Sequence, residues 1–144
     1  MKDGGKNWGR IADVETLDAA SLAPGVIKRN LFWAENGWDD YCARHFILPE
    51  GQAIQPHSHE WDHMVISLLG RGEAEVDGVV WALDAGSWAK VPGGSTHSFR
   101  NTGEGDFAFV CIVPANGDPH AKKYKEESDG SAENAEKLRG GNAC

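Results

Sequence analysis

From Val26 to Pro114 the apolar residues fall in short, often alternating runs that Gly, Pro, Asn and Asp interrupt. The runs are GVIKRNLFW, YCARHFILP, QAIQPHSH, HMVISLLG, GEAEV, VVWAL, SWAKVP, THSFRN and FAFVCIVP. A period of two puts one face of each segment on a core and the other in water. Nine such segments in about ninety residues predict an all-β fold, an antiparallel sandwich or barrel. Asp77-Gly78, between GEAEV and VVWAL, has the composition of a two-residue type I′ hairpin turn. Pro92-Gly93-Gly94 ends SWAKV ahead of THSFRN, and Gly70 and Gly72 punctuate the end of HMVISLLG.

The flanks have a different texture. Residues 1–25 read as an extension with one short helix over Val14–Leu22, capped by Asp13 and stopped by Pro24-Gly25. Residues 26–115 form the β domain, and 116–144 form a charged tail with too few apolar residues for a core of its own. Within that tail a second short helix is expected over Ser131–Leu138, and His120, close to Lys122 and Lys123, reads as solvated.

The chain of 144 residues carries 14 basic and 22 acidic side chains, a formal charge of -8. That balance argues against a protein that tracks nucleic-acid phosphates or docks on an anionic membrane. No apolar run reaches signal-peptide or membrane-span length, so the expected compartment is the cytoplasm. Cys42, Cys111 and Cys144 are odd in number and widely spaced, which disfavours a disulfide framework or a thiolate zinc site. Cys42 and Cys111 read as buried small hydrophobes, and Cys144 as an exposed terminal thiol.

Four of the six histidines carry the chemistry: His57, His59 and His63 within seven residues, and His97 on the run THSFRN. His57 and His59 are two apart, so both rings leave one face of an extended strand. Clustered neutral imidazoles are what a borderline transition-metal ion requires. The alternative is a set of solvated surface histidines.

Gly51-x5-His57-x-His59-x3-His63, followed by Gly70, resembles the first cupin motif. Gly86-x5-Pro92-x-Gly94-x2-His97-x3-Asn101 is similar to the second, position by position. The resemblance implies a small antiparallel jelly-roll β-barrel with short helical or irregular extensions and one divalent metal ion in its mouth. One departure is plain: the family's usual glutamate, four residues after the second histidine, is here His63. The chain therefore resembles the small single-domain cupins with a four-histidine site, with His57, His59, His63 and His97 as ligands. A three-histidine site, with water in place of His63, is the rival arrangement.

Four neutral ligands leave the ion's charge uncompensated, which favours its reduced state and binding of anions. In an octahedron they leave two adjacent positions open. Imidazole accommodates Zn, Cu, Fe and Ni, and the resemblance adds Mn to iron as the metals expected. Backbone carbonyls, Gln55, Ser67 and Asn101 are candidate acceptors for the second ring nitrogens, although Asn101 also reads as a turn residue.

Strand parity puts Ile54, Val65, Ser67, Trp88 and Phe99 on the cavity wall, with Trp61 at its entrance. Ile47, Phe109 and His45 are further candidates, His45 as the one acid–base group. The leading reading is a metal-dependent oxidoreductase of the dioxygenase type acting on a small organic molecule. A non-catalytic metal- or ligand-binding sensor and a non-redox lyase, isomerase or hydrolase are the alternatives. Exposed sheet edges or a sheet face make a homodimer the expected assembly.

Overall fold

The computed structural model describes residues 7–128. All nine expected runs are strands: β1 Ile27–Phe32, β2 Tyr41–Leu48, β3 Ala53–Ser58, β4 His63–Leu69, β5 Gly72–Val76, β6 Val79–Ala82, β7 Trp88–Val91, β8 Thr96–Asn101 and β9 Phe107–Pro114. They form two antiparallel sheets, ordered β1-β2-β9-β4-β7 and β3-β8-β5-β6. The chain passes repeatedly from one sheet to the other, which gives the all-β jelly roll. Asp77 and Gly78 both have positive φ (47° and 83°), as the I′ turn between β5 and β6 requires.

Alternation explains most of the core. On β4, His63, Val65 and Ser67 are buried, while Met64, Ile66 and Leu68 face out. On β8, His97, Phe99 and Asn101 point inward. At the centre Phe109 packs on Phe46, Phe99 and Phe107, with ring centroids 5.5, 5.2 and 5.1 Å apart. Gly72 lies against the Phe107 ring, and any Cβ there would collide with it.

β1 inverts the usual pattern. Its polar residues Lys28 and Asn30 are buried, and Arg44 on the adjacent β2 is equally enclosed. The carboxylate of Asp118 makes this tolerable. Its Oδ1 lies 2.5 Å from Lys28 Nζ and 3.1 Å from Arg44 Nη1. Its Oδ2 accepts from Asn30 Nδ2 at 3.2 Å and from the Ala121 amide at 2.9 Å. Burial alone would raise the Asp118 pKa, but the charges of Lys28 and Arg44 and the hydrogen bonds outweigh it, so the acid stays well below its ordinary value.

The Ala121 bond also caps α1, Pro119–Ser128, with Pro119 at the first helical position. The described part of the tail is thus packed rather than solvated. Ala121 is buried, Trp33 meets Tyr124 at 5.3 Å, and His120 Nδ1 accepts from Lys28 Nζ at 2.6 Å. The second expected helix, Ser131–Leu138, and Cys144 lie outside the described residues.

The expected helix over Val14–Leu22 does not form. A single 3-10 turn at Ile11–Asp13 contains Asp13 rather than being capped by it, and the chain then runs without helix to Ala19 before turning over residues 20–22. Leu17 bridges Lys28 on β1, Arg29 Nε donates to the Val14 carbonyl at 2.9 Å, and Asp18 Oδ1 accepts from the Ala20 amide at 3.1 Å. The open edge of β1 outcompetes helical hydrogen bonds, and Ala19, Leu22 and Ala23 gain burial in the core. Among the described residues no helix is long and apolar enough to cross a membrane.

Removing Asp118 strands two buried cations. Asp118→Ala is expected to cost about 3–5 kcal/mol at neutral pH, read from denaturant unfolding. A carboxylate with a depressed folded-state pKa stabilises above its unfolded value of 3.8 and ceases to do so as pH falls below it. The gap between wild type and variant should therefore shrink in acid. A gap under about 1 kcal/mol at neutral pH, the range of an exposed ion pair, would refute this role.

Candidate metal centre

Three strands and one loop build the site. His57 near the end of β3 stands directly opposite His97 on β8. His59 follows just beyond β3, and His63 opens β4 after the turn through Trp61. Counting by twos from the inward Ile54 would turn His57 outward. A register shift between Ile54 and His57 brings it in, at the position of Pro56, which has no N–H to give to a ladder. Re-aiming a side chain in this way is a common use of a bulge.

The rings converge. Centroids of His57 and His97 are 4.4 Å apart, those of His57 and His59 4.9 Å, and those of His59 and His97 5.8 Å. One ligand atom from each of these three lies within 4.8 Å of the others. His63 stands beside them, 4.6 Å from the His97 ring and 5.4 Å from that of His59. It falls outside the tight group of three, yet it is fully buried and its Nε2 has no hydrogen-bond partner. A buried orphan nitrogen beside three clustered imidazoles fits a metal ion as the missing partner.

The other ring nitrogens are held. His57 Nδ1 lies 2.8 Å from the Gln55 carbonyl and His97 Nδ1 3.2 Å from the Ser95 carbonyl, which favours Nδ1–H donation and leaves Nε2 as the ligand atom. Gln55 thus acts through its backbone. Asn101 is a turn residue: its Nδ2 donates to the Leu48 and Gly105 carbonyls and its Oδ1 accepts from the Gly103 amide. Ser67 Oγ is buried without a hydrogen-bond partner.

The loop that carries His59 and the turn that leads into β8 are laced together. Gly94 N donates to the His59 carbonyl at 2.6 Å, and Gly93 N donates to Asp62 Oδ1 at 2.7 Å. A side chain at Gly93 would strike the Glu60 carbonyl. The Gly93 bond, with Lys90 nearby, lowers the Asp62 pKa and commits that carboxylate to the loop. Trp61 stacks on His59 with centroids 4.6 Å apart and planes 8° from parallel, and its indole rests on Gly117. It shields one side of the cluster.

Ile54, Val65, Phe99 and Phe109 face the interior, each at most 1% exposed. Three expectations fail. Trp88 is 78% exposed, because Ala89 and Val91 take the inward positions of β7. Ile47 lies on the outer face, since Phe46 and Leu48 face in. His45 alternates with the inward Arg44 and Phe46, so it too lies on the outer face, remote from the cluster. Burial and then Arg29 lower its pKa, yet no acid–base role at the site follows.

Two residues escaped sequence reasoning. Cys111 is buried as expected, but its sulfur lies 3.2 Å from His63 Nδ1. Arg44 Nη2 donates to that same sulfur at 3.1 Å. An arginine flanked by Ala43 and His45 gives no sign in the sequence that it points inward.

Residues 44–113 match the Cupin_2 family, a cupin domain. The 1-methylthio-D-xylulose 5-phosphate methylsulfurylase of Rhodospirillum rubrum is 30% identical over 92 residues, 64% of this chain and 58% of that protein. An oxalate-binding protein of Thermotoga maritima is 31% identical over 67 residues, 46% of this chain and 55% of that protein. The matches thus span little more than half the length of these relatives. The polyketide cyclase RemF of Streptomyces resistomycificus shares the fold with a TM-score of 0.67 at 21% identity, over 76% of this chain and 79% of that one. Together with the histidine cluster, these similarities support a place in the cupin superfamily.

Proposed function

We propose that the protein is a metal-dependent oxidoreductase of the dioxygenase type, acting on a small organic molecule at a mononuclear site held by His57, His59, His63 and His97. The observation that carries this reading is the buried, partnerless Nε2 of His63 beside the three-histidine group. When bound, a divalent ion of Mn, Fe, Ni, Cu or Zn supplies the redox or Lewis-acid chemistry.

The protein's share is orientation and exclusion of water. Backbone carbonyls fix the His57 and His97 rings, and Trp61 covers the face of His59. Val65, Phe99 and Phe109 close the interior behind the imidazoles with apolar surface. With four neutral ligands and no carboxylate among them, the centre favours an anionic or electron-rich ligand.

The oxalate-binding relative favours a second reading, capture of a small anion without turnover. Oxygen uptake separates the two. Protein loaded with each of the five metals should consume dioxygen with a small phenol or diketone in at least one case, and His63→Ala should lower that rate at least tenfold. Metal uptake and ligand binding without oxygen consumption under every loading would contradict the oxidoreductase reading and favour capture.

We also propose a homodimer through the outer face of the five-stranded sheet. Met64, Ile66, Leu68 and Leu69 on β4 and Trp88 on β7 are all exposed there. So wide an apolar face is more typical of an interface than of a free surface. Size-exclusion chromatography across concentrations should give twice the chain mass, and Ile66→Glu should halve it. A wild-type monomer at every concentration would contradict this assembly.

A further inference from the structure

His63 differs from its neighbours in what holds it. The second nitrogens of His57 and His97 lie against backbone carbonyls, whereas that of His63 lies 3.2 Å from a side chain, the sulfur of Cys111. That sulfur is itself fixed. Arg44 donates from Nη2 to it at 3.1 Å and from Nε to the Cys111 carbonyl at 3.1 Å, gripping the residue at two points. The same guanidinium donates from Nη1 to Asp118 Oδ1 at 3.1 Å. Asp118, Arg44, Cys111 and His63 are all fully buried.

We propose that Cys111 and Arg44 are positioning residues for His63 as a metal ligand, and that Asp118 anchors them from the C-terminal segment. The inference rests on the metal-site reading above.

The chemistry runs in one direction along this series. A guanidinium only donates, so towards Arg44 the sulfur is an acceptor. His63 can coordinate through Nε2 only if Nδ1 carries the ring hydrogen, and the sulfur is the acceptor placed to receive it. The opposite tautomer would put an N–H on the buried Nε2, which has no hydrogen-bond partner. Sulfur is a weak acceptor, and it is held in place by Arg44 rather than by the strand alone. Turning or withdrawing the guanidinium would therefore disturb His63 while leaving the carbonyl-held His57 and His97 alone. Asp118 also caps α1, so the packing of that helix and the aim of His63 share one carboxylate.

Cobalt(II) tests this without recourse to activity. Its visible spectrum reports the ligand set, and chelator competition gives its affinity. Cys111→Ala should weaken cobalt binding about 10–100-fold, the usual effect of losing an outer hydrogen-bond partner, and should change the visible bands. Cys111→Ser keeps an acceptor near the same place and should recover most of the affinity. Val113→Ala, which hollows the same inner face of β9 two residues further on, controls for packing and should bind as wild type.

Wild-type affinity and an unchanged spectrum in Cys111→Ala would overturn the inference while leaving the metal site standing. Equal losses in Cys111→Ala and Val113→Ala would also overturn it, since packing alone would then account for both. If Cys111→Ala does not fold, Cys111→Val, which fills the space without an acceptor, takes its place: weaker cobalt binding with altered bands supports the proposal, and wild-type spectrum and affinity overturn it. No cobalt uptake by the wild type would bring down both the inference and the reading beneath it.

Discussion

The carboxylate of Asp118 sits where two buried cations, the end of the barrel and the start of a helix meet. Lys28 and Arg44 project inward from neighbouring strands, and neither would be tolerated there alone, because isolated charges in an apolar interior are costly. Asp118 compensates them from outside the nine strands, so the polar end of the barrel is completed by the segment that follows β9. One carboxylate thus both neutralises the two cations and caps α1, which ties the start of the helix to β1 and β2.

The same constraint reaches the histidines. Paired with Asp118, Arg44 also donates from Nε and Nη2 to Cys111, next to His63. The histidine cluster therefore has two kinds of support. His57 and His97 rest on backbone carbonyls of their own strand or the adjoining turn, which move little once the ladder between β3 and β8 has formed. His63 rests on side chains, which are more readily perturbed. On the proposed four-histidine site, four imidazoles in place of three and a carboxylate would make the centre more cationic, and the support of His63 would decide how much of that character is expressed.

The strands were legible because period-two alternation and turn residues leave a clear trace in the chain. Asp77-Gly78 specified its hairpin outright, and the family resemblance pointed to His57, His59, His63 and His97, of which the structure groups His57, His59 and His97 tightly and sets His63 beside them. What escaped depended on contacts remote in sequence. Nothing near Val14–Leu22 announces an open strand edge at β1 that will take its hydrogen bonds. Lys28 and Arg44 look like solvent-facing residues until Asp118 is placed beside them. Parity alone puts Trp88 on the wrong face and leaves His45 undecided, because parity needs a starting point and the inward positions of β2 and β7 are set by neighbours far along the chain. The bulge before His57 is the instructive case: two inward residues three apart break alternation, and only the pairing of β3 with β8 shows where the register shifts.

The central claim is that four imidazoles, His63 among them, hold one ion. Crystallography of metal-reconstituted protein, with the ion located by anomalous scattering, tests it most directly. A single ion is expected within bonding distance of one ring nitrogen from each of His57, His59, His63 and His97, with His63 coordinating through Nε2 and its Nδ1 still on Cys111. An ion bound by His57, His59 and His97 alone, with His63 Nε2 facing a water molecule, would contradict it.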